Sequence, residues 1–142
     1  MRVVITGAAS GIGLSVAELL AEESGAHQLL LADRDAVGLE SVAAKISAAA
    51  AACVVDLSEA GSGDTIVSAA IAHMGGIDAV VSNAGIIAAG ALVDLEPEDF
   101  DRIYAVNAKA TWALAKAAHP HLAASKGSFV ATASMSATQP TP

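Results

Sequence analysis

Short apolar runs alternate along the 142 residues with longer stretches whose apolar residues fall three or four apart. Val3-Val4-Ile5 is the first run, short and β-branched, and it reads as a buried strand. Leu14, Val16, Ala17, Leu19 and Leu20 follow at helical spacing, which places a helix from about Gly11 to Glu23. Ser24-Gly25-Ala26 breaks that pattern, and Gln28 to Ala32 reads as a second strand ending at Asp33. Val37, Leu39, Val42 and Ile46 suit a helix to about Ala48. The alanine run that follows has no period of its own, and Ala52 to Val55 is taken as the third strand, before Asp56. After the turn Gly61-Ser62-Gly63, Asp64 is placed to cap a helix carrying Ile66, Val67, Ala70 and Ile71, and Gly75-Gly76 stops it. Ala79 to Ser82 is the fourth strand, and Ile86 to Glu98 reads as a loop. A long helix from about Pro97 to Ala124 holds Phe100, Ile103, Val106, Trp112, Leu114 and Ala118, with Pro120 expected to end or kink it. Ser128 to Ala133 is the fifth strand.

Strands that alternate with helices call for a doubly wound parallel sheet with helices on both faces, an α/β fold of Rossmann type. The length suits one domain with a real core, and no internal repeat or second domain is visible. Composition sharpens this: 54% of residues are hydrophobic but only 3% aromatic, so alanine-rich helices pack on a Val/Ile/Leu sheet. The net charge of −8, with 7 basic against 15 acidic residues and no basic cluster, argues against a nucleic-acid surface or an anionic membrane as partner. Apolar runs fall far short of a membrane span, and a strand that begins beside Met1 leaves no room for a leader, so the cytoplasm is the expected setting. Cys53 is the single cysteine, which excludes an internal disulfide and reads as a small buried residue. His27, His73, His119 and His121 show no metal or nucleophile spacing and are expected at the surface or at helix ends.

The chemistry is concentrated where the first strand turns into the first helix. Thr6-Gly7-Ala8-Ala9-Ser10-Gly11-Ile12-Gly13 carries three glycines in the spacing Gly-x-x-x-Gly-x-Gly. Glycines let the backbone approach a phosphate, and the free N–H groups and dipole of the helix N-terminus face its charge. Asp33 lies twenty positions beyond Gly13, where a carboxylate can accept from an adenosine ribose and repel a 2′-phosphate. Arg34 beside it could instead clamp such a phosphate.

Read together, five further stretches resemble the short-chain dehydrogenases/reductases along with Thr6 to Gly13. These are Asp33, Val55-Asp56-Leu57, Ser82-Asn83-Ala84-Gly85, Val106-Asn107-Ala108-Lys109, and Gly127 to Ser136. The resemblance implies strand order 3-2-1-4-5 and a nicotinamide-dependent oxidoreductase acting on an alcohol or carbonyl. By resemblance, Gly7, Ser10, Gly11, Ile12 and Gly13 meet the cofactor phosphates, with Asp33 and Arg34 at the ribose. NADP-binding members often carry a basic residue where Ser10 stands, which implies NAD over NADP. Asp56 and Leu57 meet the adenine, and Asn83, Ala84 and Gly85 pass the nicotinamide ribose, the Asn83 side chain pinning a neighbouring strand. The family usually has Asn where Ser82 stands here. Asn107 takes the place of the residue that holds a water in the family's proton relay. Ser134 takes the place of the catalytic serine, with Ser136 the alternative by position. The family's catalytic Tyr-x-x-x-Lys is not among the 142 residues, since Tyr104 is the only tyrosine and Ala108 stands four positions on. Lys109 is one position late, about 100° around a helix. The expectation is a chain that continues past Pro142 with that pair, and the rival is a dinucleotide-binding module without catalysis. In the family the long helix pairs with its symmetry mate, so a homodimer or homotetramer is expected.

Overall fold

A computed structural model of the chain describes residues 1–23, 27–46 and 49–135. The expected break at Ser24-Gly25-Ala26, the end of the second helix at Ala48, and the alternative Ser136 lie outside the described residues. The elements run β1 (Arg2–Thr6), α1 (Gly11–Glu22), β2 (Gln28–Asp33), α2 (Ala36–Ile46), β3 (Ala50–Val54), α3 (Ser62–Met74) and β4 (Ala79–Ser82). A 3₁₀ turn (Leu92–Asp94) then leads into α4 (Pro97–Tyr104), a π turn (Ala105–Lys109), α5 (Ala110–Ser125) and β5 (Ser128–Ala131). The five strands form one parallel sheet in the order β3-β2-β1-β4-β5.

Alternation along the central strands divides the core in two. Val3, Ile5, Leu29 and Leu31 face one way, with Leu39 and Val42 of α2 and Ala17 of α1. Val4, Leu30 and Val80 face the other way, with Ile66 and Ala70 of α3 and Leu114 and Ala118 of α5. Cys53 joins that second cluster, and burial pushes its thiol pKa up. The chain leaves β1 toward β2 on one side and toward β4 on the other, so a crevice opens beyond the carboxyl ends of β1 and β4.

Several boundaries differ from the expectations. β3 begins inside the alanine run because Ala50 and Ala51 pair with Leu29 and Leu30, a ladder that side-chain pattern does not reveal. α3 starts two residues before Asp64, on the left-handed Gly61, and Asp64 lies in its first turn. Gly63 explains the early start: a Cβ there would stand 2.9 Å from the Ala113 backbone, so the first turn of α3 packs directly on α5. Pro120 does not end its helix, since α5 runs on to Ser125. β5 stops at Ala131 rather than Ala133. His27 is not a surface residue: its side chain is only 9% exposed, held between Glu23 and the Met1 amine. Arg2 and Asp78 form an ion pair across the amino ends of β1 and β4, with Asp78 Oδ2 also accepting the Arg2 main-chain N–H at 2.8 Å. Among the described residues no helix is long and apolar enough to cross a membrane.

Candidate dinucleotide site

The loop after β1 is shaped by two close approaches. Gly7 has φ 68°, and a Cβ on it would lie 2.9 Å from Ala84 Cα, so only glycine lets this loop close on the one after β4. Gly13 sits in the first turn of α1, where a Cβ would overlap the Gly7 carbonyl. Ser10 caps α1 in extended conformation with no side-chain hydrogen bond, and the first helical bond runs from Leu14 N–H to Ser10 O at 3.1 Å. The N–H groups of Gly11, Ile12 and Gly13 therefore precede the helical ladder and face the crevice end with the positive end of the dipole.

Hydrogen-bonded braces complete the nucleotide end. Asp33 accepts the Ala9 N–H at 3.0 Å and the Asp35 N–H at 3.1 Å on separate oxygens. Asp56 Oδ1 accepts from Ser58 Oγ at 2.7 Å and from Ser58 N at 2.8 Å. Those two bonds hold the Asp56 carboxyl below its ordinary pKa, and the Arg34 charge adds to the effect. The buried hydroxyl of Thr6 accepts the N–H groups of Asn83 at 3.0 Å and Ala84 at 3.1 Å. Asn83 Oδ1 accepts from Thr132 Oγ1 at 3.0 Å, tying the β4 loop to the end of β5. Ser82, where the family usually has Asn, is buried and shares a hydrogen bond of 3.0 Å with Thr111 of α5.

Gly7, Ser10, Gly11, Ile12, Asp33, Arg34, Asp56, Leu57, Asn83, Ala84 and Gly85 all line one cleft of about 430 Å³. Val55, Ile86, Val106 and Thr132 complete its wall, and none of them was singled out from sequence as a site residue. Val55, Val106 and Thr132 lie inside stretches that carry the resemblance, and Ile86 directly follows one. Gly13 lies behind the loop rather than on the cleft wall.

Neither of the two residues expected to carry chemistry lines that wall, though Asn107 is bonded to Ile86, which does. Asn107 lies in the π turn, whose widened ring is closed by Ala110 N–H bonding back to Ala105 O. Its Oδ1 accepts the Ile86 N–H at 2.9 Å and its Nδ2 donates to Ile86 O at 2.8 Å, a reciprocal clasp on the loop after β4. Ser134 is exposed just beyond β5 and is not part of the cleft wall. Tyr104 is 57% exposed and stacks on Phe100 with ring centroids 6.2 Å apart. No group of three His, Cys, Asp or Glu that could hold a metal occurs among the described residues.

A parallel sheet in this order, with a glycine loop at its switch point, defines a dinucleotide-binding class of fold. A sequence model of the family described as short chain dehydrogenase matches residues 1–142, and the chain belongs to that family. The short chain dehydrogenase/reductase AacuN of Aspergillus aculeatus is 33% identical over 122 residues, covering 84% of this chain and 46% of that protein. The crystal structure of 3-ketoacyl-(acyl-carrier-protein) reductase from Brucella melitensis complexed with NADH superposes with a TM-score of 0.90 at 35% identity. That match covers 99% of this chain and 60% of the other. A short chain dehydrogenase from Burkholderia cenocepacia in complex with NADP gives a TM-score of 0.91 at 31% identity, covering 99% and 58%. The chain thus spans about half the length of the curated relatives it matches.

Proposed function

We propose that residues 1–142 form the dinucleotide-binding domain of an NAD-dependent oxidoreductase that moves hydride between an alcohol or carbonyl substrate and the nicotinamide. The observation that carries this reading is the single cleft that gathers the glycine loop, Asp33, Asp56 and the Asn83–Gly85 loop. The cleft fits a dinucleotide on its own geometry: a Cβ on Gly11 would meet nothing within 4 Å, leaving open space before the N-terminus of α1. In that space the N–H groups of Gly11 and Ile12 bind diphosphate, and Asp33 accepts from the ribose. Asp56 and Leu57 flank the adenine, and Gly85 leaves the backbone close to the nicotinamide ribose. Bound NAD supplies the hydride acceptor or donor.

Around the reacting carbon, Ser134 holds the substrate oxygen through its hydroxyl, and Asn107 orders the loop at Ile86 and a water of the proton relay. Tyr104, on an outward helix face, does not supply the proton; the resemblance implies a Tyr-x-x-x-Lys for that step. The exposed Phe100, Tyr104 and Trp112 make three of the four aromatic side chains an outward stripe along α4 and α5, which supports assembly as a homodimer or homotetramer. A monodisperse monomer in sedimentation overturns that assembly. The single buried cysteine accords with a cytoplasmic setting.

The cofactor reading is tested by titration of nicotinamide fluorescence. NADH binds more tightly than NADPH, and Asp33→Ala narrows the gap; equal or reversed affinities in the parent chain overturn the NAD assignment. A second reading is a dinucleotide-binding module without catalysis. Cofactor binding without turnover by the longest native chain selects it.

A further inference from the structure

Asp33 sits at the end of β2, and its two oxygens are engaged in different directions. Oδ2 accepts the N–H of Ala9, in the middle of the glycine loop, at 3.0 Å. Ala8, the residue before, is tied to the same strand through its N–H to Ala32 O at 3.3 Å. Oδ1 accepts the Asp35 N–H at 3.1 Å, and Asp35 Oδ1 in turn accepts the Gly38 N–H at 3.0 Å in the first turn of α2. The contact is close: a Cβ on Gly38 would crowd the Asp35 carboxylate and stand 3.2 Å from Ala9 Cβ. One carboxylate therefore braces the phosphate-facing loop against both β2 and α2.

Bonds to an ionised acceptor are stronger than neutral ones, and a carboxylate offers about four lone-pair sites. Two remain for ribose hydroxyls. We propose that Asp33 is a positioning residue for the glycine loop as well as a ribose acceptor, so that its loss loosens the grip on diphosphate for ligands that have no ribose hydroxyl. A substitution meant only to admit a 2′-phosphate then also slackens the loop beneath the diphosphate. The ligand side of this proposal rests on the dinucleotide reading of the cleft; its loop side rests on the hydrogen bonds alone.

The test titrates ADP and 2′,3′-dideoxy-ADP by calorimetry into the 142-residue chain and its Asp33→Ala and Asp33→Asn variants. Exchange of the Ala9 amide is followed by NMR without ligand. Losing a hydrogen bond to a charged group predicts about tenfold weaker 2′,3′-dideoxy-ADP binding and about tenfold faster Ala9 exchange in Asp33→Ala. Removing a negative charge would by itself favour an anion, so weakening reports the loop. Asp33→Asn, whose amide oxygen can still accept the Ala9 N–H while its amide nitrogen opposes the Asp35 N–H, slows Ala9 exchange and tightens 2′,3′-dideoxy-ADP relative to Asp33→Ala, while ADP stays weakened. Weakened ADP with unchanged 2′,3′-dideoxy-ADP in Asp33→Ala assigns a ribose contact alone and overturns the proposal. Unchanged Ala9 exchange overturns it too. A parent chain that binds neither nucleotide defeats the dinucleotide reading, and Ala9 exchange then decides the loop role by itself.

Discussion

The two ends of the crevice are built differently. At the nucleotide end, Asp33, Asp56, Thr6 and Asn83 are each bonded to main-chain N–H groups or a neighbouring hydroxyl. Its loops hang from β1, β2, β3 and β4; β1 and β2 are buried along almost their whole length, while β3 is the other edge of the sheet. At the chemistry end, Ser134 follows β5, which pairs only with β4 among the described residues and exposes Val130 at 57%. Asn107 is fixed, and its partner is the main chain of Ile86, at the edge of the cleft wall. The proposed nucleotide contacts are therefore braced by hydrogen bonds between neighbouring loops, whereas Ser134, proposed for the chemistry, lies exposed beyond the edge strand β5. A phosphate cradle needs only main-chain donors from one loop and helix; proton transfer needs side chains from several elements to converge.

Substitutions that act on one end and spare the other sharpen this contrast. The largest expected effect is Ser134→Ala in a chain extended through a Tyr-x-x-x-Lys. Turnover falls by about 10²–10³ with nucleotide affinity unchanged, as for loss of one oxyanion donor. Steady-state kinetics beside a binding titration reads it, and a matching loss of affinity would break the division. Gly13→Ala comes next at the other end. Its Cβ must displace the Gly7 carbonyl, costing about 1–3 kcal/mol of stability and loosening nucleotide binding. Thermal melts with and without NADH measure both, and an unchanged pair of values contradicts the loop geometry.

Asn107→Ala removes both bonds to Ile86, for about 0.5–1.5 kcal/mol in denaturant unfolding, with NADH affinity held within about twofold. A larger loss of affinity would join the π turn to the nucleotide end. The smallest effect is on pH. Hydrogen bonding from Arg2 holds the Asp78 carboxyl below its ordinary pKa in the folded chain. Its contribution to stability is present above the unfolded carboxylate value, near about pH 4, and fades as pH falls through the lower folded value. Asp78→Asn should flatten the acid limb of a stability profile slightly; an unaltered limb removes the pair from the account.

The strands and most helices were legible because short apolar runs and 3.6-residue periods report burial directly, as at Val3–Ile5 and at Ile66, Val67 and Ala70. The glycine loop was legible because backbone conformation and close approach restrict residue choice there. β3 was misplaced within the alanines, since alanine fits helix and strand alike and the ladder to Leu29 and Leu30 decided. The start of α3 followed the closeness of α5 at Gly63, not the capping carboxylate at Asp64.

Residue order thus carried the fold class, the family and most of the residues that line the cleft, because each depends on local backbone chemistry and a repeating pattern. Tertiary structure alone decided how those residues are held. Asp33 meets Ala9, Thr6 meets the β4 loop, and Asn107 clasps Ile86, pairs separated by 24, 77 and 21 positions. Which donor finds which acceptor at such distances depends on the order in which strands lie side by side, and no local pattern encodes that order.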